Sequence, residues 1–170
     1  MRIYFIRHAI AQNAEEFQGE DQERPLTKEG IKKAKKAFHG LARIMDRPDV
    51  IISSTSMRAR ETAALLGKCF KNTDIIETDR LLPGASYLDF LKVMEEIPHE
   101  GGSAVIVGHE PDISLILSAL LAGNPETDPL ASPIRMNIKK SACVVVELLG
   151  VHGTLLEFLS PRTLRLLAGK

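Results

Sequence analysis

Short runs of consecutive apolar, mostly β-branched residues alternate along the chain with longer segments whose apolar positions recur every three to four residues. A run such as Ile3-Tyr4-Phe5-Ile6, bounded by polar residues, predicts a strand buried on both faces. On this pattern strands are predicted at Arg2–Ile6, Val50–Ser53, Asp74–Thr78 and Ser103–Val107, with Ala142–Leu149 and Thr154–Leu159 forming an antiparallel pair joined through Gly150 and Gly153. Helical period follows Thr27, a predicted N-cap, with Glu29 in the first turn and an apolar stripe at Ile31, Ala34, Phe38, Leu41 and Met45. Ser54, Thr55 and Ser56 offer caps for a helix over Met57–Phe70, which places Arg58 in its first turn. Ser86-x-x-Asp89 is a capping box for a helix ending before Pro98, and Asp112–Ala122 is a further helix. Ala9–Pro25 and the three-proline segment Gly123–Pro133 read as loops, the first a long surface loop over the end of strand one. Strand and helix in alternation predict an α/β fold of three α/β/α layers around a mostly parallel mixed sheet.

The 170 residues suffice for one domain spanning 1–170, and no linker-like stretch, repeat or low-complexity tract divides them. Twenty-two basic residues balance 22 acidic ones, which excludes a general attraction to nucleic acid or to an anionic membrane, so anion binding has to be local. The first apolar run is followed at once by a charge and is too short for a signal peptide or a spanning helix, and a cytoplasmic location is expected. Cys69 and Cys143 fall in no paired motif and read as core thiols. Lys28, Lys32, Lys33, Lys35 and Lys36 flank the stripe of the first helix as a solvated face.

The candidate chemistry gathers at strand ends. Arg7-His8 closes the first strand at its carboxyl end, where open α/β sheets collect their ligands, and His109 stands in the same relation to the strand at Ser103–Val107. Arg58 adds a second guanidinium at a helix start, whose free amides carry partial positive charge. Two arginines, two imidazoles and a helix N-terminus suit a tetrahedral dianion, with neighbouring cations keeping His8 neutral and nucleophilic. The remaining histidines, His39, His99 and His152, read as exposed, and none of the five histidines has a carboxylate or thiol at metal-ligand spacing.

With Arg7-His8, Arg24-Pro25-Leu26-Thr27, Gly30, Ser53-Ser54, Arg58-Ala59-Arg60-Glu61-Thr62 and Gly108-His109-Glu110-Pro111, the chain resembles the histidine phosphatase superfamily over most of its length. Its shortness and the Arg-Pro-Leu-Thr sequence look most like the SixA-type phosphohistidine phosphatases. The resemblance implies the phosphoglycerate mutase-like fold and a two-step, metal-independent reaction without a cofactor. His8 would become a phosphohistidine that water hydrolyses, with Arg7, Arg58 and His109 around the phosphoryl group. Phosphate and other tetrahedral anions would bind the same pocket. Arg24 has two readings, a contact to phosphate or substrate and an exposed arginine ahead of a helix-starting proline.

Two departures from the family pattern matter. Ala9 replaces the usual glycine, which adds only a methyl group. The segment Leu81–Ser86, where many relatives carry their proton donor, has no carboxylate. Glu110 and Asp21 are two candidate donors, and each is also readable as an ordinary solvated carboxylate. A phosphohistidine substrate needs the donor least, because its leaving imidazole is readily protonated near neutral pH whereas an alkoxide is not. The short connection between the third and fourth strands predicts a shallow, open pocket, suited to a phosphorylated side chain on a folded protein such as a histidine phosphotransfer domain or a phosphocarrier. The alternatives are a phosphatase of a small phosphorylated metabolite and a non-catalytic phosphate-recognition module.

Overall fold

In the computed structural model, which describes residues 1–97, 102–123 and 132–169, the elements run β1 (Arg2–Arg7), α1 (Lys28–Leu41), β2 (Val50–Ser54), α2 (Met57–Gly67), β3 (Asp74–Thr78), α3 (Tyr87–Glu95), β4 (Ser103–Gly108), α4 (Asp112–Ala122), β5 (Cys143–Leu149), β6 (His152–Leu159) and α5 (Pro161–Leu167). The strands form one sheet in the order β3-β2-β4-β1-β5-β6. The first four are mutually parallel, and β5 and β6 are antiparallel additions on one side. This is the mixed three-layer fold that the alternating pattern predicts.

Alternation of side chains along each buried strand divides the core in two. Tyr4 and Ile6 of β1, Val105 and Val107 of β4 and Val145 of β5 face Ala34, Phe38 and Leu41 of α1, Ala63 and Leu66 of α2 and Leu164 of α5. Ile3 and Phe5, Ala104 and Ile106, and Val144 and Val146 face the other way, onto Phe90 and Val93 of α3 and Ile113, Ile116 and Leu117 of α4. Helices therefore cover both faces of β1 and β4, and this is why those strands read as continuous apolar runs.

Local signals are met where predicted: the Thr27 hydroxyl accepts from the Gly30 amide at 2.9 Å, and both halves of the Ser86–Asp89 capping box form. Several boundaries differ. α1 stops at Leu41 and α2 at Gly67, while Met45 and Phe70 are still buried from the turns that follow. Apolar character persists past a helix end whenever the exit turn also lies on the core. The Ala9–Pro25 segment is less open than a surface loop: Ala9 and Ala11 are buried, Ala11 bridges Leu26, and Asp21–Glu23 form a 3₁₀ turn. α5 is an element the apolar pattern did not predict, although Ser160 caps it through the Thr163 amide and Pro161 opens it. Cys143 is buried and Cys69 partly so, both as free thiols, and His39 and His152 are exposed. Pro98, His99 and residues 124–131 of the three-proline loop lie outside the described residues. Among the described residues no helix is long and apolar enough to cross a membrane.

Two glycines of α1 mark close backbone approaches. A methyl group on Gly30 would stand 2.1 Å from the Ile10 carbonyl oxygen, and one on Gly40 would stand 1.8 Å from the Leu164 carbonyl oxygen. Glycine to alanine inside a helix ordinarily stabilises by about 0.5–1 kcal/mol. Here the sign reverses, since displacing packed backbone costs roughly 1–3 kcal/mol. Gly30→Ala is expected to lower Tm in a thermal melt by about 2–4 °C for each kcal/mol lost, and an unchanged or higher Tm would contradict the Ile10 contact.

Candidate active site

The pairing of β1 with β4 sets two histidines side by side. Arg7 lies opposite Gly108 in the parallel ladder, and the His8 amide donates to the Gly108 carbonyl at 3.0 Å, so the chain leaves both strands at one level. The His8 and His109 rings, both buried, are 5.2 Å apart between centroids and inclined by 51°.

Hydrogen bonds hold each ring in place. His8 Nδ1 is 2.7 Å from the Ala9 carbonyl oxygen, which can only accept, so Nδ1 carries the hydrogen and Nε2 keeps its lone pair. Ala9 is itself anchored, its amide donating to Thr62 Oγ1 at 3.0 Å while the Thr62 hydroxyl donates to the Arg58 carbonyl at 2.6 Å. The alanine at this position has no left-handed backbone, and its methyl packs in the core. His109 Nε2 lies 3.1 Å from Ser56 Oγ and 3.0 Å from Ser54 Oγ. The Ser54 hydroxyl donates to Ser56, so a hydrogen on Nε2 would go to Ser54 Oγ, and a hydrogen on Nδ1 would leave Nε2 to accept from Ser56. Ser56 thus occupies the N-cap of α2 without capping it, because its hydroxyl serves His109.

Three arginines surround the rings. Arg7 Nη1 donates to the Ile138 carbonyl at 2.7 Å. Arg58, buried in the first turn of α2, donates through Nη1 to the Asp21 carbonyl at 2.6 Å and places Nη2 2.8 Å from Asp21 Oδ2. Arg24 grips Asp21 Oδ1 through Nε at 3.0 Å and Nη2 at 2.8 Å, and donates Nη1 to the Gln12 carbonyl at 2.6 Å. The structure therefore brings Arg24 to Arg58 across one shared carboxylate.

Burial dominates the electrostatics. It pushes His8 down to about 3, with the Ala9 hydrogen bond opposing and His109, Arg58 and Arg7 assisting. His109 is lowered to about 3 by burial and Arg58, with Asp21 opposing. Both rings are neutral near pH 7. Burial raises the Asp21 carboxyl, but the Arg24 hydrogen bond and the charges of Arg58 and Arg24 together outweigh it and hold the group below its usual range. Glu110 goes the other way: burial raises it, the Ser114 hydrogen bond and Arg7 only partly offsetting this. Of the two candidate donors, Glu110 is shifted toward its protonated form and Asp21 toward its anion.

Four buried polar atoms lack a partner among the described residues: Arg7 Nε, Arg58 Nε, His109 Nδ1 and Glu110 Oε1. The two arginine Nε atoms are N–H donors, and His109 Nδ1 is one when the ring hydrogen sits there; a phosphoryl group would satisfy such donors. Among the described residues no three His, Cys, Asp or Glu side chains converge as a metal ion requires.

Some supporting residues escaped sequence reasoning. Ser54, Ser56 and Thr62 stood in the quoted motifs as caps or helix residues, with nothing local to mark their bonds to His109 and Ala9. The Glu61 carboxylate accepts from the Leu26 amide at 2.6 Å and ties the loop to α2. Asp112, buried at the start of α4, accepts from the Gly84 amide at 3.0 Å and fixes the carboxylate-free segment before α3.

The parallel core with a histidine at the end of each of its two central strands defines an α/β protein of the phosphoglycerate mutase-like class. The family model for the histidine phosphatase superfamily (branch 1) matches residues 3–82, nearly half of the chain. An uncharacterised protein of Picosynechococcus is 29% identical over 147 residues, covering 85% of this chain and 83% of its own. The solved structure of the protein histidine phosphatase SixA complexed with tungstate superposes with a TM-score of 0.78 at 21% identity, covering 96% of this chain and 99% of that one. A mycobacterial glucosyl-3-phosphoglycerate phosphatase, solved with VO3, has the same fold with a TM-score of 0.70 at 19% identity, covering 94% of this chain and 99% of that one.

The buried neutral rings predict a pH-dependent stability. An unfolded imidazole titrates near 6.5, whereas both rings here titrate at about 3. Below about 6.5 the unfolded chain binds more protons, so stability is fully present above that pH and declines as pH falls toward 3. The urea midpoint is expected to drop between pH 7 and pH 5, and to drop less in His8→Asn and His109→Gln. A wild-type midpoint that is flat across this interval would contradict the burial.

Proposed function

We propose that this chain is a metal-independent phosphatase that hydrolyses phosphohistidine on a protein partner, with His8 as nucleophile. The observation that carries the reading is the hydrogen bond from His8 Nδ1 to the Ala9 carbonyl, which directs the lone pair of a neutral Nε2 away from the backbone and leaves it available. In the first step Nε2 attacks phosphorus, the bond from phosphorus to the substrate nitrogen breaks, and the departing imidazole takes up a proton. In the second, water attacks the phosphorus on His8, the bond to Nε2 breaks, and phosphate leaves. Arg7, Arg58 and His109 hold the phosphoryl oxygens as charge shifts among them, and Arg24 meets phosphate or substrate at the rim. Asp21 bridges Arg24 and Arg58 until the phosphoryl group replaces its carboxylate on Arg58.

The substrate assignment rests on proton supply. The carboxylate-free segment before α3 and the ion-paired Asp21 leave Glu110 as the candidate donor, and its Oε1 has no partner among the described residues. A leaving imidazole can take its proton without such a donor, whereas an alkoxide cannot. The similarity to SixA supports the same reading. The fold shared with the glucosyl-3-phosphoglycerate phosphatase favours a second one, hydrolysis of a small phosphorylated metabolite.

Turnover of a phosphohistidine protein and of an unactivated alkyl phosphate, measured in parallel, separates the two. Phosphohistidine is expected to be preferred strongly, and comparable rates would sink the assignment. His8→Ala should lose at least roughly 10³-fold in kcat, and wild type trapped during turnover should carry an acid-labile phosphoryl group on His8. Without that adduct, the pocket is a phosphate-recognition module. Glu110→Gln should leave phosphohistidine turnover within roughly threefold while residual ester hydrolysis falls by about 10²-fold or more. Equal losses on both substrates would show that P–N cleavage also needs this carboxyl.

A further inference from the structure

From Arg7, the residue before His8, runs a groove of about 500 Å³ whose lining also includes Lys33, Lys139, Lys140, Arg162 and Arg165 and, among the described residues, no carboxylate. In a chain of zero net charge this is a strong local excess; among the described residues only Lys33 of the set forms an ion pair, with Glu29 at 2.5 Å, while Arg7 also feels the charge of Glu110. Apart from Arg7 at the end of β1, the cations come from three places. Lys33 is on α1, Arg162 and Arg165 lie three apart on α5, and Lys139 and Lys140 sit on the turn before β5.

That turn is fixed to the phosphoryl-binding arginine. Arg7 donates Nη1 to the Ile138 carbonyl at 2.7 Å and accepts at its own carbonyl from the Ser141 amide at 3.0 Å, while the Ala142 amide closes onto Lys139 at 2.8 Å. Ser141 is held at φ 64, a left-handed backbone that a serine keeps only where its surroundings require it. Lys140 is lowered by burial and then by the charges of Arg7, Arg24 and Arg58, so it belongs to the same positive field as the site. The fold thus holds mutually repelling cations in a row that begins at Arg7 and leads away from the histidines.

We infer that this groove is a docking surface for an acidic stretch of the protein that presents the phosphorylated side chain. The inference rests on the phosphohistidine reading above and adds to it a rule for partner choice: carboxylates beside the phosphorylated residue, aligned with the groove. Such complementarity acts chiefly on encounter and discrimination and is weakened by salt.

The test uses the full chain and synthetic phosphohistidine peptides flanked by Asp/Glu, by Ser/Gln or by Lys, with free phosphohistidine as reference. Wild type should turn over the acidic peptide with kcat/KM roughly tenfold above the neutral one at low salt, and lose the advantage at high salt. The triple variant Lys139→Glu/Arg162→Glu/Arg165→Glu should lose the advantage while free phosphohistidine turnover stays unchanged. Lys139→Gln/Arg162→Gln/Arg165→Gln serves if the charge reversals impair folding. Equal kcat/KM for all flanks, or a preference unaffected by either triple variant, overturns the inference. Unphosphorylated peptides are also titrated onto the protein by fluorescence anisotropy. If nothing is hydrolysed, including free phosphohistidine, the phosphohistidine reading fails, and the groove inference still stands or falls on whether the acidic peptide binds more tightly in a groove-dependent way. Groove-dependent binding of inorganic tripolyphosphate without binding of the acidic peptide would assign the groove to a small polyanion and overturn the inference.

Discussion

β1 and β4 run in parallel from Arg2 beside Ser103 to Arg7 beside Gly108, and the site depends on that register. A slip of one residue would turn every side chain of β1 to the opposite face, exchanging Phe5 with Ile6 between two differently shaped halves of the core. The same slip would move His8 off the level of His109. Packing of Ile3 and Phe5 on one face, and of Tyr4 and Ile6 on the other, therefore sets the distance between two imidazoles to which none of those side chains contributes an atom.

From that pairing the rest of the site is built in tiers. The histidines are held by backbone and hydroxyl groups, Ala9 for one and Ser54 with Ser56 for the other. Thr62 then links Ala9 to Arg58, so the positions of a ring and of a guanidinium are coupled through one hydroxyl. The outer tier is ionic, with Asp21 between Arg58 and Arg24. Since Asp21 is about half exposed while Arg58 is buried, the carboxylate is the partner that can leave without stranding itself away from water.

The sequence was most legible where the physics is local or periodic. Four of the strands on which the site depends are bounded by abrupt changes from apolar to polar, and Thr27 and Ser86 announce helix starts through side chains that bond two or three residues away. Arg7, His8, Arg58 and His109 were visible because they sit beside such boundaries. Less visible were contacts spanning long stretches of chain, such as Ser56 with His109, Thr62 with Ala9 and Gly40 against Leu164. No period or cap signals those pairs. α5 was missed for a related reason: it buries only Pro161 and Leu164, too few positions to form a stripe, and its place is decided by the surface of α1. Lys139 and Lys140 are unremarkable in sequence, and only the fold sets them beside Arg162 and Arg165.

The position of β1 inside the sheet also bears on how the protein is made. β1 is synthesised well before both of its partners, β4 and β5, and the sheet cannot close around it until Cys143–Leu149 are available. Until then this apolar strand waits unpaired, and the loops that must close around it are long. Folding of this chain is consequently a late event governed by long-range contacts, with an exposed apolar strand as the species that chaperones would meet and aggregation would exploit.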